Sequence, residues 1–352
     1  LPGSCSETSV DQRSRGDERF FEGLSLAEAT ILLWTPYAGQ RAAVQAALQA
    51  VEGINLLTAS NEDEAVSLIP TAHAAVLVGA VTGYTRGIAE AIERTPRLRW
   101  VQILSAGIDG VELHGIRAGV SLTGIGDAIS GVVAEHAMAL LLAQVRKLPI
   151  ALRRGETVGW DDSFIRSLRT LEDMRLCMIG CGGIGQAIAR RARVFGAICV
   201  GVNRSGSNPA PELFEAVVPL ERLTEVVPEC GALVISVPLT KQTHGVLGHA
   251  VWRACQPGTI VVNVGRGAVI DTLSLLEALD GGLIESAALD VTDPEPLPPD
   301  HPLWKHPKAL ITPHLGAAGS ASAMRRVGAL AAENVRRFLR GESLKNPLTL
   351  HA

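Results

Sequence analysis

The chain has 352 residues, and at roughly 100–200 residues per domain that length calls for two domains. Hydrophobic residues make up 47% and charged ones 19%, which provides for sizeable cores and excludes disorder over most of the length. Thirty-two Lys and Arg against 36 Asp and Glu give a net charge of −4, and aromatics are only 4%; together these exclude a general polyanion binder and a stacking platform for single-stranded nucleic acid.

In chain order, residues 1–24 are polar and mixed in charge, lack the apolar stretch of a signal peptide, and are read as a disordered leader. Short apolar runs at 29–34, 54–59, 74–79 and 100–107 read as strands, with helical periodicity at 40–51, 61–69 and 86–96 between them. One long Ala- and Leu-rich helix is expected over about 130–154. Its most apolar part is interrupted by Glu135 and His136 and is too short to span a bilayer. A second alternating series starts at Arg175, with strands at 175–180, 197–202, 232–238, 259–265, 286–291 and 309–314. An amphipathic helix closes the chain over 320–341. Continuous apolar strands separated by helices predict an α/β protein with parallel sheets covered on both faces.

Six cysteines (Cys5, Cys177, Cys181, Cys199, Cys230, Cys255) form no CxxC pair and read as reduced thiols of a cytoplasmic protein. Cys177 and Cys181 have no second cluster to complete a metal site, so no metal is expected. His136, on an apolar helix, is read as packing or an interdomain contact.

Glycine is the compositional outlier, with 36 residues. Gly180, Gly182 and Gly185 form a GxGxxG that follows an apolar strand, opens a helix and precedes a second strand. That context is the dinucleotide fingerprint, with Gly183 in the same turn, and the helix N-terminus offers N–H groups to phosphates. At the end of the second strand stand Asn203, Arg204 and Ser205 instead of an acid. A guanidinium and a hydroxyl suit a 2′-phosphate, so NADP is favoured over NAD.

Three further segments place Arg266 in VNVGRGAVID, Glu295 in LDVTDPEPLPP and His314 in ITPHLGAAG, each after a strand. In order and context they resemble the signatures of the D-isomer-specific 2-hydroxyacid dehydrogenases, and the resemblance runs from about Trp100 to the C-terminus. VVAEHAMALLLA is similar to that family's interdomain helix. The resemblance implies two Rossmann-like domains. The substrate domain would take 25–123 and 316–352, with the cofactor domain, 124–315, inserted into it. It also implies a catalytic cleft that closes on a hinge, a homodimer, and NADP or NAD as cofactor.

The chemistry of reducing a 2-oxo acid fits the three residues. Arg266 would hold the carboxylate and carbonyl oxygen, and His314 would deliver the proton. Glu295 would fix the imidazole tautomer and raise its pKa. By resemblance, Ile184, Val237, Pro238, Thr243, Val264, Gly265 and Gly316 also contact the cofactor. Asp290 either meets the nicotinamide carboxamide or caps a strand end. LSAGIDG (104–110) resembles the family's first substrate loop, in which the N–H groups of Ser105, Ala106 and Gly107 take the carboxylate; a plain βα turn is the other reading.

Val78, Gly79, Ala80 and Tyr84 are expected to set substrate size. Formate dehydrogenases of the superfamily carry glutamine where Glu295 stands, which disfavours that activity. Phosphoglycerate dehydrogenases often present an arginine where this chain reads VLVGAVTGYT, and no regulatory domain is expected after the last helix. A small or apolar 2-oxo acid is therefore favoured, with glyoxylate and hydroxypyruvate leading. The competing class is a dinucleotide-sensing corepressor-like scaffold of the same superfamily, against which Asn203-Arg204-Ser205 argues.

Overall fold

The computed structural model describes residues 28–350; the leader expected over 1–24 and Cys5 lie outside them. The chain divides into two compact units. One takes the chain up to Ile125 together with that from Met324, and the other is Gly126–Ala323. The divisions fall two and eight residues beyond the boundaries expected from sequence.

The first unit runs β1 (Ala29–Trp34), α1 (Ala38–Gln49), β2 (Ile54–Thr58), α2 (Glu62–Leu68), β3 (Ala74–Leu77), α3 (Arg86–Glu93), β4 (Trp100–Ile103), α4 (Asp109–His114) and β5 (Ser121–Thr123). Its described strands form one parallel sheet, ordered β2-β1-β3-β4-β5. β3 and β4 are buried at every position, as strands covered on both faces must be. The Asn61 side chain caps α2 by accepting from Glu64 N, and Thr85 caps α3 by accepting from Ile88 N. The C-terminal helix α11 (Ala321–Leu339), from Met324 on, belongs to this unit. Its Phe338 ring lies 5.4 Å from that of Trp100, and its buried Asn334 donates to Gln102 Oε1 at 2.8 Å.

The second unit begins with α5 (Ser130–Val145) and α6 (Leu148–Thr157). It continues β6 (Arg175–Ile179), α7 (Gly183–Val194), β7 (Ile198–Asn203), β8 (Ala216–Pro219), α8 (Leu223–Val226), β9 (Ala232–Ile235), α9 (His249–Ala254), β10 (Ile260–Asn263), α10 (Thr272–Asp280), β11 (Ser286–Leu289) and β12 (Ala309–Ile311). The seven strands are parallel in the order β12-β11-β10-β9-β6-β7-β8. Counted from β6, this is the order 7-6-5-4-1-2-3, the doubly wound arrangement whose direction reverses between β6 and β9. Trp252, Val261 and Leu279 are among the fully buried residues of its core. No helix among the described residues is long and apolar enough to cross a membrane.

The single helix expected over 130–154 is two. α5 ends at Val145, Lys147 takes a left-handed conformation (φ 56°), and α6 opens with Pro149 in its first turn. A proline disfavours helical geometry in the residue before it and leaves an N–H missing, so a helix restarts there more readily than it continues. α6 buries none of its residues.

Two positions expected to set substrate size are corrected. The Tyr84 ring is fully buried in the first unit's core and its hydroxyl donates to Gly115 O at 2.9 Å. Val78 is also buried, and its Cβ is 2.7 Å from where a Cβ on Gly83 would sit. Both side chains hold the turn after β3.

Candidate active site

Because every strand of the second unit is parallel, the segments leaving β6, β9, β10, β11 and β12 all emerge at one edge of the sheet. The first holds the glycine turn. Gly180 has φ 109°, and a Cβ there would meet the Ser236 carbonyl carbon at 2.9 Å, which binds this turn closely to the end of β9. Gly185 lies so near Gly180 O that a Cβ would be 1.9 Å away; helix α7 can approach β6 only without a side chain there. Space over Gly182 is open. The first-turn N–H groups of α7, from Gly183, Ile184 and Gly185, have no intrahelical acceptor. An open glycine corner beneath a positive helix end fits a dinucleotide pyrophosphate. The Asp127 carboxylate already lies over Gly183, 1.6 Å from where a Cβ would stand. Sequence reading missed this acid, which has no glycine-like signature.

At the end of β7, Asn203 Oδ1 accepts from Ser205 N and Gly206 N at 3.1 and 2.7 Å, and its amide donates to Ser207 O. Asn203 therefore shapes the turn, while Arg204 and Ser205 are exposed. After β9, Thr243 Oγ1 donates to Pro238 O at 2.7 Å and accepts from Thr240 N at 2.8 Å; this closes the loop that begins at Val237.

Arg266 follows β10 and the buried Val264. Asn263, fully buried, accepts from Gly265 N at 2.9 Å and donates to Arg266 O at 3.0 Å. A Cβ on Gly265 would stand 2.8 Å from Val237 O, and one on Gly267 would stand 2.0 Å from the Thr292 carbonyl. The two glycines thus let the arginine segment pass between the loops after β9 and β11. Asn263 was not singled out by sequence, although a polar residue ending the run TIVVN was a usable signal.

Glu295 and His314 come together: His314 Nδ1 is 2.5 Å from Glu295 Oε1, and both side chains are about half-exposed. A carboxylate can only accept, so the imidazole carries its hydrogen on Nδ1 and leaves Nε2 for chemistry. The Glu295 hydrogen bond raises the His314 pKa; partial burial and the Arg266 charge pull it down, while the Glu295 and Asp290 charges push it up. The arginine is therefore close enough to be felt by the histidine. Such a set can bind an anion, hold its carbonyl and exchange a proton.

Asp290, at the end of β11, accepts from Leu315 N and Gly316 N, one on each oxygen, both at 2.8 Å. It caps the end of β12. Among the described residues no group of three His, Cys, Asp or Glu is placed to hold a metal ion.

In the first unit, Ser105 Oγ accepts from Gly79 N at 3.0 Å and donates to Gly107 O at 2.6 Å. The N–H groups of Ser105, Ala106 and Gly107 make no hydrogen bond within the described residues.

The model of the D-isomer specific 2-hydroxyacid dehydrogenase NAD binding domain matches residues 138–316. The chain is 34% identical over 264 residues to the glyoxylate reductase/hydroxypyruvate reductase of Mus musculus, covering 72% of this chain and 77% of that one. It is 31% identical over 307 residues to the D-3-phosphoglycerate dehydrogenase of Methanocaldococcus jannaschii, covering 86% of this chain but only 56% of that protein. A crystal structure of a D-isomer specific 2-hydroxyacid dehydrogenase family protein from Aeromonas salmonicida superposes with a TM-score of 0.78 at 30% identity, over 91% of this chain and 99% of that one.

Proposed function

Since the chain belongs to the D-isomer specific 2-hydroxyacid dehydrogenase family, we propose that it is an NADP-preferring reductase interconverting a small 2-oxo acid, glyoxylate or hydroxypyruvate, with its D-2-hydroxy acid. The observation that carries this reading is the His314–Glu295 pair at 2.5 Å, within the field of Arg266 and on the same sheet edge as the glycine turn. Arg266 binds the substrate carboxylate and polarises the carbonyl. His314 gives its Nε2 proton to the carbonyl oxygen in reduction and recovers it in oxidation; Glu295 keeps Nδ1 protonated. The bound dinucleotide supplies the hydride, or takes it in the reverse direction.

Gly180, Gly182, Gly183, Ile184 and Gly185 would hold the pyrophosphate. Val237, Pro238, Thr243, Val264, Gly265, Asp290 and Gly316 would line the rest of the cofactor's path. Arg204 and Ser205, exposed at the end of β7, take the 2′-phosphate, which is the basis for NADP over NAD. The unpaired N–H groups of Ser105, Ala106 and Gly107 are a separate carboxylate-binding candidate. The segment after β3, residues 78–85, carries no Lys or Arg, which favours a substrate without a phosphate.

We further infer a homodimer through the α6 region, where Leu152, Val158, Trp160 and Ile165 are all strongly exposed, Trp160 at 97%. A cytoplasmic location is favoured by cysteines that are free thiols throughout the described residues.

A panel of 2-oxo acids assayed with NADPH and NADH tests the reading. NADPH oxidation with glyoxylate or hydroxypyruvate is expected, whereas tight NADH binding without turnover on any acid refutes it in favour of a sensing scaffold. Arg204→Ala should raise KM for NADPH by about tenfold or more and leave that for NADH within about twofold, the loss of one charge-assisted contact. Equal losses would remove the case for NADP.

A further inference from the structure

His136 projects from α5 onto the loop that carries His314. Asp290 is only 3% exposed, and a carboxylate so buried needs donors. Its Oδ1 accepts from Thr312 Oγ1 at 2.6 Å and Leu315 N at 2.8 Å, its Oδ2 accepts from Gly316 N at 2.8 Å, and its carbonyl accepts from His314 N at 2.8 Å. Three successive peptide N–H groups, those of 314 to 316, thus end on this one residue.

His136 Nε2 stands 2.9 Å from Asp290 Oδ1 and 3.0 Å from Thr312 Oγ1. The single hydroxyl hydrogen of Thr312 is directed to Asp290, so the hydrogen of the His136–Thr312 bond is on Nε2 of the histidine. His314 itself is held at φ 54°, a left-handed conformation that a non-glycine residue keeps only where its surroundings impose it. Val133, one turn before His136 on α5, stands 3.7 Å from where a Cβ on Gly316 would be. The helix therefore lies against the same loop.

We propose that His136 is a positioning residue for the proton-transfer step: its Nε2–H holds Thr312 Oγ1, whose hydroxyl holds the Asp290 carboxylate, which in turn fixes the backbone that aims His314. The proposal rests on the reading of His314 as the group that exchanges the proton. The relevant comparison is between His136→Leu, which removes the donor, and His136→Gln, whose amide nitrogen reaches a similar distance along the side chain.

In the intact protein, with glyoxylate or hydroxypyruvate and NADPH, His136→Leu should lower kcat about tenfold or more, because misplacing a reacting group is costly. KM for the acid should stay within about twofold, because Arg266, which would bind its carboxylate, is held by Asn263 and the segment after β10. His136→Gln should recover most of the loss. A purely structural role would lower the melting temperature and leave kcat per folded molecule unchanged. Turnover of His136→Leu at the parent rate, or His136→Gln as slow as His136→Leu, overturns the proposal.

Should His136→Leu not fold, Thr312→Val removes the hydroxyl that links His136 to Asp290 and carries the same test. It should lower kcat with KM for the acid kept, and a parent-like kcat overturns the proposal. His314→Ala serves as the reference. If it turns over normally, the reading of His314 is at fault; if it is inactive while His136→Leu is normal, only the present proposal fails.

Discussion

Along the five-stranded sheet, the segments that leave β1, β3 and β4 are tied together by neutral groups. Thr35 donates to Gln40, Gln40 donates to Leu104 O, and Ser105 accepts from Gly79 N. Along the seven-stranded sheet, the equivalent segments carry Arg266, Asp290, Glu295 and His314. The strands of both are apolar and parallel, so the difference lies in the residues just past their carboxyl ends. One sheet presents peptide N–H groups, which can hold a charge and move no proton. The other presents a coupled acid, base and cation, with a raised histidine pKa among them. A parallel sheet leaves its chemistry to these end segments, whose residues can change without disturbing the buried strands.

The most forceful way to break this contrast is to strip each edge in turn. His314→Ala or Arg266→Ala should lower turnover by about two to four orders of magnitude, the range for losing a general acid or its partner, with circular dichroism unchanged. Ser105→Ala should act on KM for the acid more than on kcat, since it loosens only a neutral turn. If Ser105→Ala matched His314→Ala in kcat, the division of labour would be wrong.

A finer test uses pH. On the proposed mechanism His314 must be protonated to reduce, so kcat/KM for reduction should fall as pH rises through its elevated pKa, and oxidation should rise through it. Glu295→Gln removes the largest cause of that elevation, so the alkaline limb of reduction should move to lower pH. A limb that stays in place would separate Glu295 from the histidine's titration.

The smallest effect belongs to the first unit. Tyr84→Phe deletes the hydroxyl bonded to Gly115 O and should cost about 1 kcal/mol in urea unfolding. The order of preference among 2-oxo acids should not change, because the ring is buried in the core.

Much of this was legible from sequence because it is local. The glycine turn, the strands feeding it and the three charged residues all sit in short segments whose apolar runs and punctuation identify them. The polar supports were not legible. His136 and Thr312 lie 176 positions apart, and no spacing rule joins a helix face to a strand end across that distance. The division of α5 from α6 turned on the one left-handed residue before Leu148-Pro149. Tyr84 was misplaced because an aromatic in a loop after a strand gives no sign of which way its ring turns.

Trp160 has a practical consequence of its own. The chain has five tryptophans; Trp34, Trp100 and Trp252 are buried, Trp304 is partly exposed, and Trp160 is 97% exposed. An indole in water emits at longer wavelength than one in an apolar core and is open to collisional quenchers. The red edge of the monomer's fluorescence is therefore assigned mainly to this residue, and the dimer proposed through this region would shift it to the blue. A difference spectrum against Trp160→Phe would isolate its signal, giving the segment after α6 an optical reporter of whatever comes to cover it.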